Sequence, residues 1–132
     1  MNRIFSDFLL SWLTSERRKP LIVRGARQVG KTWLVRDLAR SIGRTLLEVN
    51  FDRNPEYARI FREEGSSPRR WLDDLALRTG VEAPAEGLIL FLDEIQTVPE
   101  VLAKLRWFAE EMPELPVIAA GSLLEFALRD FE

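Results

Sequence analysis

The sequence contains no cysteine and no histidine among its 132 residues. Without cysteine, the chain can form neither a disulfide framework nor a thiolate metal site. Without histidine, it lacks the commonest metal ligand and the usual general base of enzymes. Ser-His-Asp catalysis and histidine zinc sites are therefore excluded, and any general base must be a carboxylate.

Long apolar runs and an excess of positive charge are also missing. No stretch approaches the roughly 18 apolar residues of a membrane span, and residues 1–7 carry an early acid without the cleavage site of a signal peptide. A cytoplasmic location is therefore the default expectation. The net charge of −2 indicates neither a nucleic-acid partner nor an acidic membrane surface. We predict one domain over residues 1–132, a length that suits a single core.

Strand-like and helix-like patterns alternate along the chain. Apolar runs predict strands at 21–24, 45–51, 88–92 and 116–122, and the mostly apolar second run is expected inside the sheet. Apolar residues at helical spacing predict helices at 3–16, 30–42, 55–65 and 68–80, another after Pro99 with an apolar stripe from Val101 to Phe108, and one at the end of the chain, 123–131. Phe8 and Leu77 belong to the apolar stripes of the first and fourth of these helices, and Asn54 is the predicted N-cap of the third. This alternation predicts an α/β fold, with a parallel sheet of about four strands and helices on both faces.

A glycine loop joins the first predicted strand to the helix after it. Gly25 and Gly30, followed by Lys31 and Thr32, have the spacing of a phosphate-binding P-loop. Glycines let the main chain approach a triphosphate closely, and the helix start contributes unpaired N–H groups and the positive end of its dipole. Lys31 would reach the β- and γ-phosphates, and the Thr32 hydroxyl would bind Mg²⁺. The residues predicted to bind the nucleotide phosphates are Gly25, Ala26, Arg27, Gln28, Val29, Gly30, Lys31, Thr32 and Trp33. The alternative is a glycine turn that precedes a lysine by chance.

Two carboxylates follow the continuous apolar run at 88–92. Continuous apolar residues are typical of a strand covered on both faces, and ligands of open α/β sheets bind beyond the carboxyl ends of strands. We therefore predict that Asp93 joins Thr32 at a Mg²⁺ site. Glu94, one residue further on, would orient or deprotonate the attacking water. The alternative is an acidic strand end that caps a loop.

Three segments together resemble a known family. They are the loop Gly25–Thr32, the strand end Phe91–Gln96 and the strand end Ala120–Ser122. They are similar to the AAA-type ATPase domain of a prokaryotic family in which a GxRQVGKT loop, a DEIQ strand end and a GS strand end recur together. The resemblance extends from Leu13 to about Leu128.

The resemblance implies a three-layer P-loop NTPase fold with strand order 1-4-3-2, in which the fourth strand lies between the first and the third. It implies ATP as the ligand, Mg²⁺ as the cofactor and hydrolysis to ADP and phosphate as the activity. Lys31 and Glu94 would be catalytic residues. Ser122, at the end of the inserted strand, would sense the γ-phosphate, or cap a helix together with Glu125.

Other positions of the motifs have two interpretations each. Trp33 stands where many P-loops carry a second Ser or Thr, and it either covers the nucleotide or packs in the core. Gln96 either contacts the attacking water or a neighbouring loop, or is a plain surface residue. Arg27 lies over the phosphates or forms a salt bridge outside the loop.

Members of the family continue into a fifth strand, a helical lid and a C-terminal domain. We therefore expect a truncated ATPase core, in which the first strand forms a sheet edge. It should bind Mg-ATP weakly and hydrolyse it slowly or not at all. The expected partner is either a second copy of the chain, in a homo-oligomer, or the missing C-terminal domain.

Two other function classes are open at this point. A nucleotide-dependent binding module would need Lys31 but hardly Glu94. A small-molecule kinase would need an acceptor pocket and an arginine-rich lid, and the paired acids at 93 and 94 favour water as the acceptor instead.

Overall fold

The computed structural model describes residues 3–16, 18–25, 29–82 and 84–122. Its helices are α1 (Arg3–Leu13), α2 (Val29–Ser41), α3 (Pro68–Thr79), α4 (Pro99–Leu102) and α5 (Leu105–Glu111). Its strands are β1 (Leu21–Gly25), β2 (Thr45–Asn50), β3 (Leu88–Asp93) and β4 (Val117–Ser122). Short 3₁₀ segments cover Pro55–Phe61, Ala85–Gly87 and Ile95–Thr97. None of the described helices is long and apolar enough to cross a membrane.

The four strands form one parallel sheet in the order β1-β4-β3-β2. The predicted fold class is therefore confirmed, including the insertion of β4 between β1 and β3. Among the described residues, β1 and β2 are the two edges of the sheet. The expectation that β2 lies inside the sheet was wrong. Its apolar residues reflect cover by helices, because Leu47 and Val49 are buried against the core on one face.

Strand alternation divides the core into one cluster on each face of the sheet. On one face α1 and α2 contribute Leu9, Val35, Leu38 and Ala39, which pack on Val23, Ile89, Phe91, Ile118 and Ala120. On the other face α3, α4 and α5 contribute Trp71, Leu72, Leu75, Val101, Leu105 and Phe108, which pack on Leu47, Val49, Leu88, Leu90, Leu92, Val117 and Ala119. Strand β3 is thus covered on both faces from Leu88 to Leu92, as the continuous apolar run predicts.

An aromatic cluster organises the second face. The Phe61 ring lies 5.2 Å from that of Trp71, and the rings of Trp71 and Phe108 are 5.5 Å apart. Such pairs contribute about 0.5–1.5 kcal/mol each beyond the area that they bury. The Lys104 ammonium donates to the main-chain carbonyl of Phe61 and lies 5.7 Å from the Trp71 ring centroid.

The single helix predicted after Pro99 is divided in the structure. Helix α4 ends at Leu102, and α5 begins at Leu105. Lys104, between them, has a non-helical backbone, while its side chain donates to the main-chain carbonyl of Phe61 at the end of the adjacent 3₁₀ segment. Tertiary contacts therefore override the continuous helical pattern of this stretch.

Several other predictions were corrected. The predicted helix at 55–65 is a 3₁₀ segment that ends at Phe61, and Asn54 makes no side-chain cap to it. Leu77, assigned to the apolar stripe of α3, is 81 % exposed, and Phe8 of α1 is 52 % exposed. Helix α1 ends at Leu13 rather than at residue 16. The predicted helix at 123–131 lies outside the described residues.

Candidate functional site

The carboxyl ends of the strands meet at one edge of the sheet. Gly25, the last residue of β1, pairs in register with Ser122, the last residue of β4. Asn50, at the end of β2, pairs with Asp93, at the end of β3. Because the sheet is parallel, the glycine loop begins at the same edge at which Asp93 ends its strand. Ligands of open α/β sheets bind at this edge.

Part of the predicted loop lies outside the described residues, namely Ala26, Arg27 and Gln28, so the interpretations of Arg27 stay predictions. The backbone of Val29, Gly30 and Lys31 forms the first turn of α2. The helix therefore begins where the glycine loop ends, which is the context that the motif requires.

Thr32 and Asp93 lie side by side, although 61 positions separate them in sequence. The Thr32 hydroxyl donates to Asp93 Oδ2 at 3.4 Å, and the Glu94 main-chain N–H donates to Asp93 Oδ1 at 2.9 Å. The longer bond leaves Oδ2 as the carboxylate oxygen that is held less firmly. Alternation along β3 turns Asp93 to the α2 face, since Ile89 and Phe91 pack there too.

Hydroxyl and carboxylate oxygens are the ligand types that Mg²⁺ takes in nucleotide sites. No three acidic residues in the described ranges cluster closely enough to form a metal site by themselves. This donor set fits a cation that takes one carboxylate and one hydroxyl and completes its shell with phosphate oxygens and water.

Negative charge is concentrated around Asp93. Burial raises the pKa of the Asp93 carboxyl above its ordinary value, and the neighbouring carboxylates of Glu94 and Glu48 raise it further. Hydrogen bonds from the Glu94 main chain and from Thr32 act in the opposite direction. A cation bound nearby would offset the cost of this partly buried charge.

Glu94 occupies a sharp turn after β3. Its backbone is left-handed, with φ 56° and ψ 45°, a conformation uncommon for residues other than glycine. The Gln96 amide Nε2 donates to Glu94 Oε1 at 2.8 Å. Gln96 is only 9 % exposed, so the interpretation of it as a surface residue was wrong.

An ion pair beside the site was missed from the sequence. Arg36 of α2 donates through two nitrogens to the two carboxylate oxygens of Glu48 on β2, both at 2.9 Å. The field of Asp93 also acts on Arg36, whose pKa is raised mainly by the hydrogen bond to Glu48. Two signals could have revealed the pair: Arg36 follows Thr32 by one helical turn, and Glu48 interrupts an otherwise apolar strand.

Trp33 and Ser122 are the remaining predicted site residues that the structure describes. Trp33 is 45 % exposed, so its assignment to the core was wrong, and a contact with nucleotide stays a prediction. Ser122 ends β4 opposite Gly25, and its roles as a phosphate sensor or a helix cap both stay predictions. The partner of the proposed capping box, Glu125, lies outside the described residues.

Comparison with known proteins agrees with this arrangement. A family model described as "AAA domain" matches residues 17–132. No curated protein matches the chain. Residues 17–132 make up most of the chain and include all four strands. Membership indicates a nucleotide-binding, ATPase-type domain. The chain belongs to the AAA domain family.

Proposed function

We propose that this domain binds Mg-ATP at the carboxyl edge of its sheet and hydrolyses it slowly to ADP and phosphate. The observation that carries the proposal is the hydrogen bond between Thr32 Oγ1 and Asp93 Oδ2 at 3.4 Å. It joins the end of the glycine loop to the acidic end of β3. Those two segments hold the phosphates and the metal in P-loop ATPases.

The proposed roles follow from the chemistry of each group. The main chain from Gly25 to Gly30 surrounds the phosphates, and Lys31 binds the β- and γ-phosphate oxygens. Thr32 and Asp93 hold Mg²⁺, which when bound neutralises charge on the phosphates. Ser122 contacts the γ-phosphate from the end of β4.

Glu94 is proposed as the general base. With no histidine in the chain, a carboxylate must accept the proton of the attacking water. The Glu94 carboxylate is half-buried, one residue beyond Asp93 at the end of β3. Its charge therefore lies next to the proposed metal ligand and beyond the strand end.

The test uses Glu94→Gln, which keeps the shape of the side chain and removes the base. Binding is measured by titration with Mg-ATP, and hydrolysis by single turnover with protein in excess of radiolabelled ATP. We expect the variant to bind ATP at least as well as the unchanged chain. Its hydrolysis should fall by about 10²–10⁴-fold, the usual contribution of general acid–base catalysis.

The matched control is Glu110→Gln, which removes an exposed carboxylate from α5 and should change neither quantity. Equal hydrolysis by the unchanged chain and Glu94→Gln would refute the role of Glu94. Binding without any hydrolysis by the unchanged chain would favour a nucleotide-dependent binding module instead. Absence of binding by the folded chain would contradict the proposal as a whole.

A further inference from the structure

Gln96 is a buried polar side chain in the turn that follows β3. It is 9 % exposed, and its neighbours Ile95 and Val98 are 0 % and 4 % exposed. Burying an amide is unfavourable unless it is hydrogen-bonded. A residue in this environment could be apolar, so the glutamine must be explained by what its amide contacts.

The amide contacts the Glu94 carboxylate. Gln96 Nε2 donates to Glu94 Oε1 at 2.8 Å, and hydrogen bonds to an ionised group are roughly twice as strong as neutral ones. The backbone of Glu94 is held as well. Its N–H donates to Asp93 Oδ1 at 2.9 Å, and its carbonyl accepts the Thr97 hydroxyl at 2.9 Å. Glu94 is thus restrained at its nitrogen, its carbonyl and its carboxylate.

We propose that Gln96 is a positioning residue, which holds the Glu94 carboxylate in one orientation for proton transfer from the attacking water. This inference rests on the proposed function, since it gives Gln96 a role in that reaction. A glutamate side chain at a strand end has several rotamers open to it. A general base must lie within hydrogen-bonding reach of the proton that it accepts. Selecting one rotamer therefore raises the hydrolysis rate without contributing to ATP binding.

An amide suits this role better than a cation would. Lysine or arginine at position 96 would also hold Glu94, but it would form an ion pair with the carboxylate. The glutamine amide donates a hydrogen bond and carries no net charge. The carboxylate is thereby oriented while its charge is not neutralised.

The central test is Gln96→Met, which keeps the length of the side chain and removes the donor. The single-turnover hydrolysis rate should fall by about 10–100-fold, the scale of losses from a small misplacement of a reacting group. The dissociation constant for Mg-ATP should change less than twofold. Adding Gln96→Met to Glu94→Gln should cause no further loss, because the carboxylate that it orients is already absent.

Thr97→Val is the matched control. It removes a hydrogen bond to the same glutamate in the same turn, but that bond is made to the main-chain carbonyl. A purely structural role of the turn predicts equal losses in Gln96→Met and Thr97→Val. Orientation of the carboxylate predicts a large loss in Gln96→Met and a loss of less than threefold in Thr97→Val.

A second measurement does not depend on turnover. In ¹⁵N-labelled protein, the side-chain amide signals of Gln96, assigned by their loss in Gln96→Met, should shift in Glu94→Ala and stay in place in Glu110→Ala. Unmoved signals would overturn the contact on which the inference depends.

Failures of the inference and of the proposed function can be told apart. If the unchanged chain hydrolyses ATP and Gln96→Met does so at the same rate, the inference is overturned and the proposed function stands. Binding without hydrolysis by the unchanged chain overturns proposed hydrolysis, and the inference with it.

Discussion

The left-handed backbone at Glu94 leads to a prediction about stability. A residue with a Cβ atom is disfavoured in this conformation by roughly 1–2 kcal/mol, whereas glycine adopts it freely. Glycine in turn costs roughly 0.5–1 kcal/mol more conformational entropy than alanine. With the middle of each range, Glu94→Gly should therefore be more stable than Glu94→Ala by about 0.75 kcal/mol. Both variants lose the hydrogen bond from Gln96, so that loss cancels in the comparison.

The assay is urea unfolding of the two variants, followed by circular dichroism. With a slope of about 2 kcal/mol per molar urea, the midpoint of Glu94→Gly should lie about 0.3–0.5 M above that of Glu94→Ala. The control is the same pair of substitutions at Glu110, which is exposed on helix α5. There alanine should be the more stable by roughly 0.5–1 kcal/mol. Equal stability of the two position-94 variants, or a more stable alanine, would refute strain at this turn.

Three further predictions concern the groups around Asp93. The folded chain raises the pKa of the Asp93 carboxyl, so that group's contribution to stability is present below the ordinary carboxyl pKa and is lost as pH rises through the raised value. The asparagine of Asp93→Asn cannot ionise, so the urea midpoint of this variant should exceed that of the unchanged chain at about pH 7 but not at about pH 3. A difference between the two midpoints that shrinks with rising pH would contradict this. Thr32→Val should weaken Mg-ATP binding by about tenfold or more, because it removes one hydroxyl that binds a charged group. Thr32→Ser keeps the hydroxyl and should bind normally. Equal dissociation constants for the two variants would refute the metal role of Thr32. For Arg36 and Glu48, a double-mutant cycle of unfolding free energies with Arg36→Met and Glu48→Gln should give a coupling energy of about 0.5 kcal/mol. Because the pair is partly exposed, this coupling should fall in 1 M salt. A coupling energy insensitive to salt would contradict the ion pair.

The sheet could be predicted because its signals are local and redundant. The apolar run at 88–92 excludes an amphipathic strand, and the glycine loop identifies β1 as the strand that leads to the site. The position of β4 between β1 and β3 came from resemblance, because no periodicity specifies which strands are neighbours. The position of β2 was predicted wrongly, because an edge strand covered by a helix is as apolar as a central one.

Other features depend on contacts that no local pattern records. The division between α4 and α5 accompanies the Lys104 contacts with Phe61 and Trp71, and nothing at residues 103–104 breaks a helix by propensity. Leu77 fits a helical stripe by spacing, yet it lies 81 % exposed. Spacing alone cannot locate the edge of a buried stripe.

The sequence predicted that Thr32 and Asp93 lie together, as they do in the structure, but it did not reveal the contacts around them. Thr32 and Asp93 belong to motifs whose chemistry is specific. The left-handed turn at Glu94 was not predictable, since neither glycine nor asparagine signals it. The contact of Gln96 with that glutamate follows from the turn, and the pairing of Arg36 with Glu48 follows from the packing of α2 against β2.

Binding of Mg-ATP tests the central claim most directly. The purified chain is titrated with Mg-ATP while tryptophan fluorescence is recorded, with Lys31→Ala beside it and Trp33→Phe to identify the reporting residue. Trp33 follows Thr32 directly and is 45 % exposed, so an occupied loop should change its signal. The account predicts a saturable change that is lost in Lys31→Ala and in EDTA. No change in a chain shown to be folded by circular dichroism would contradict it.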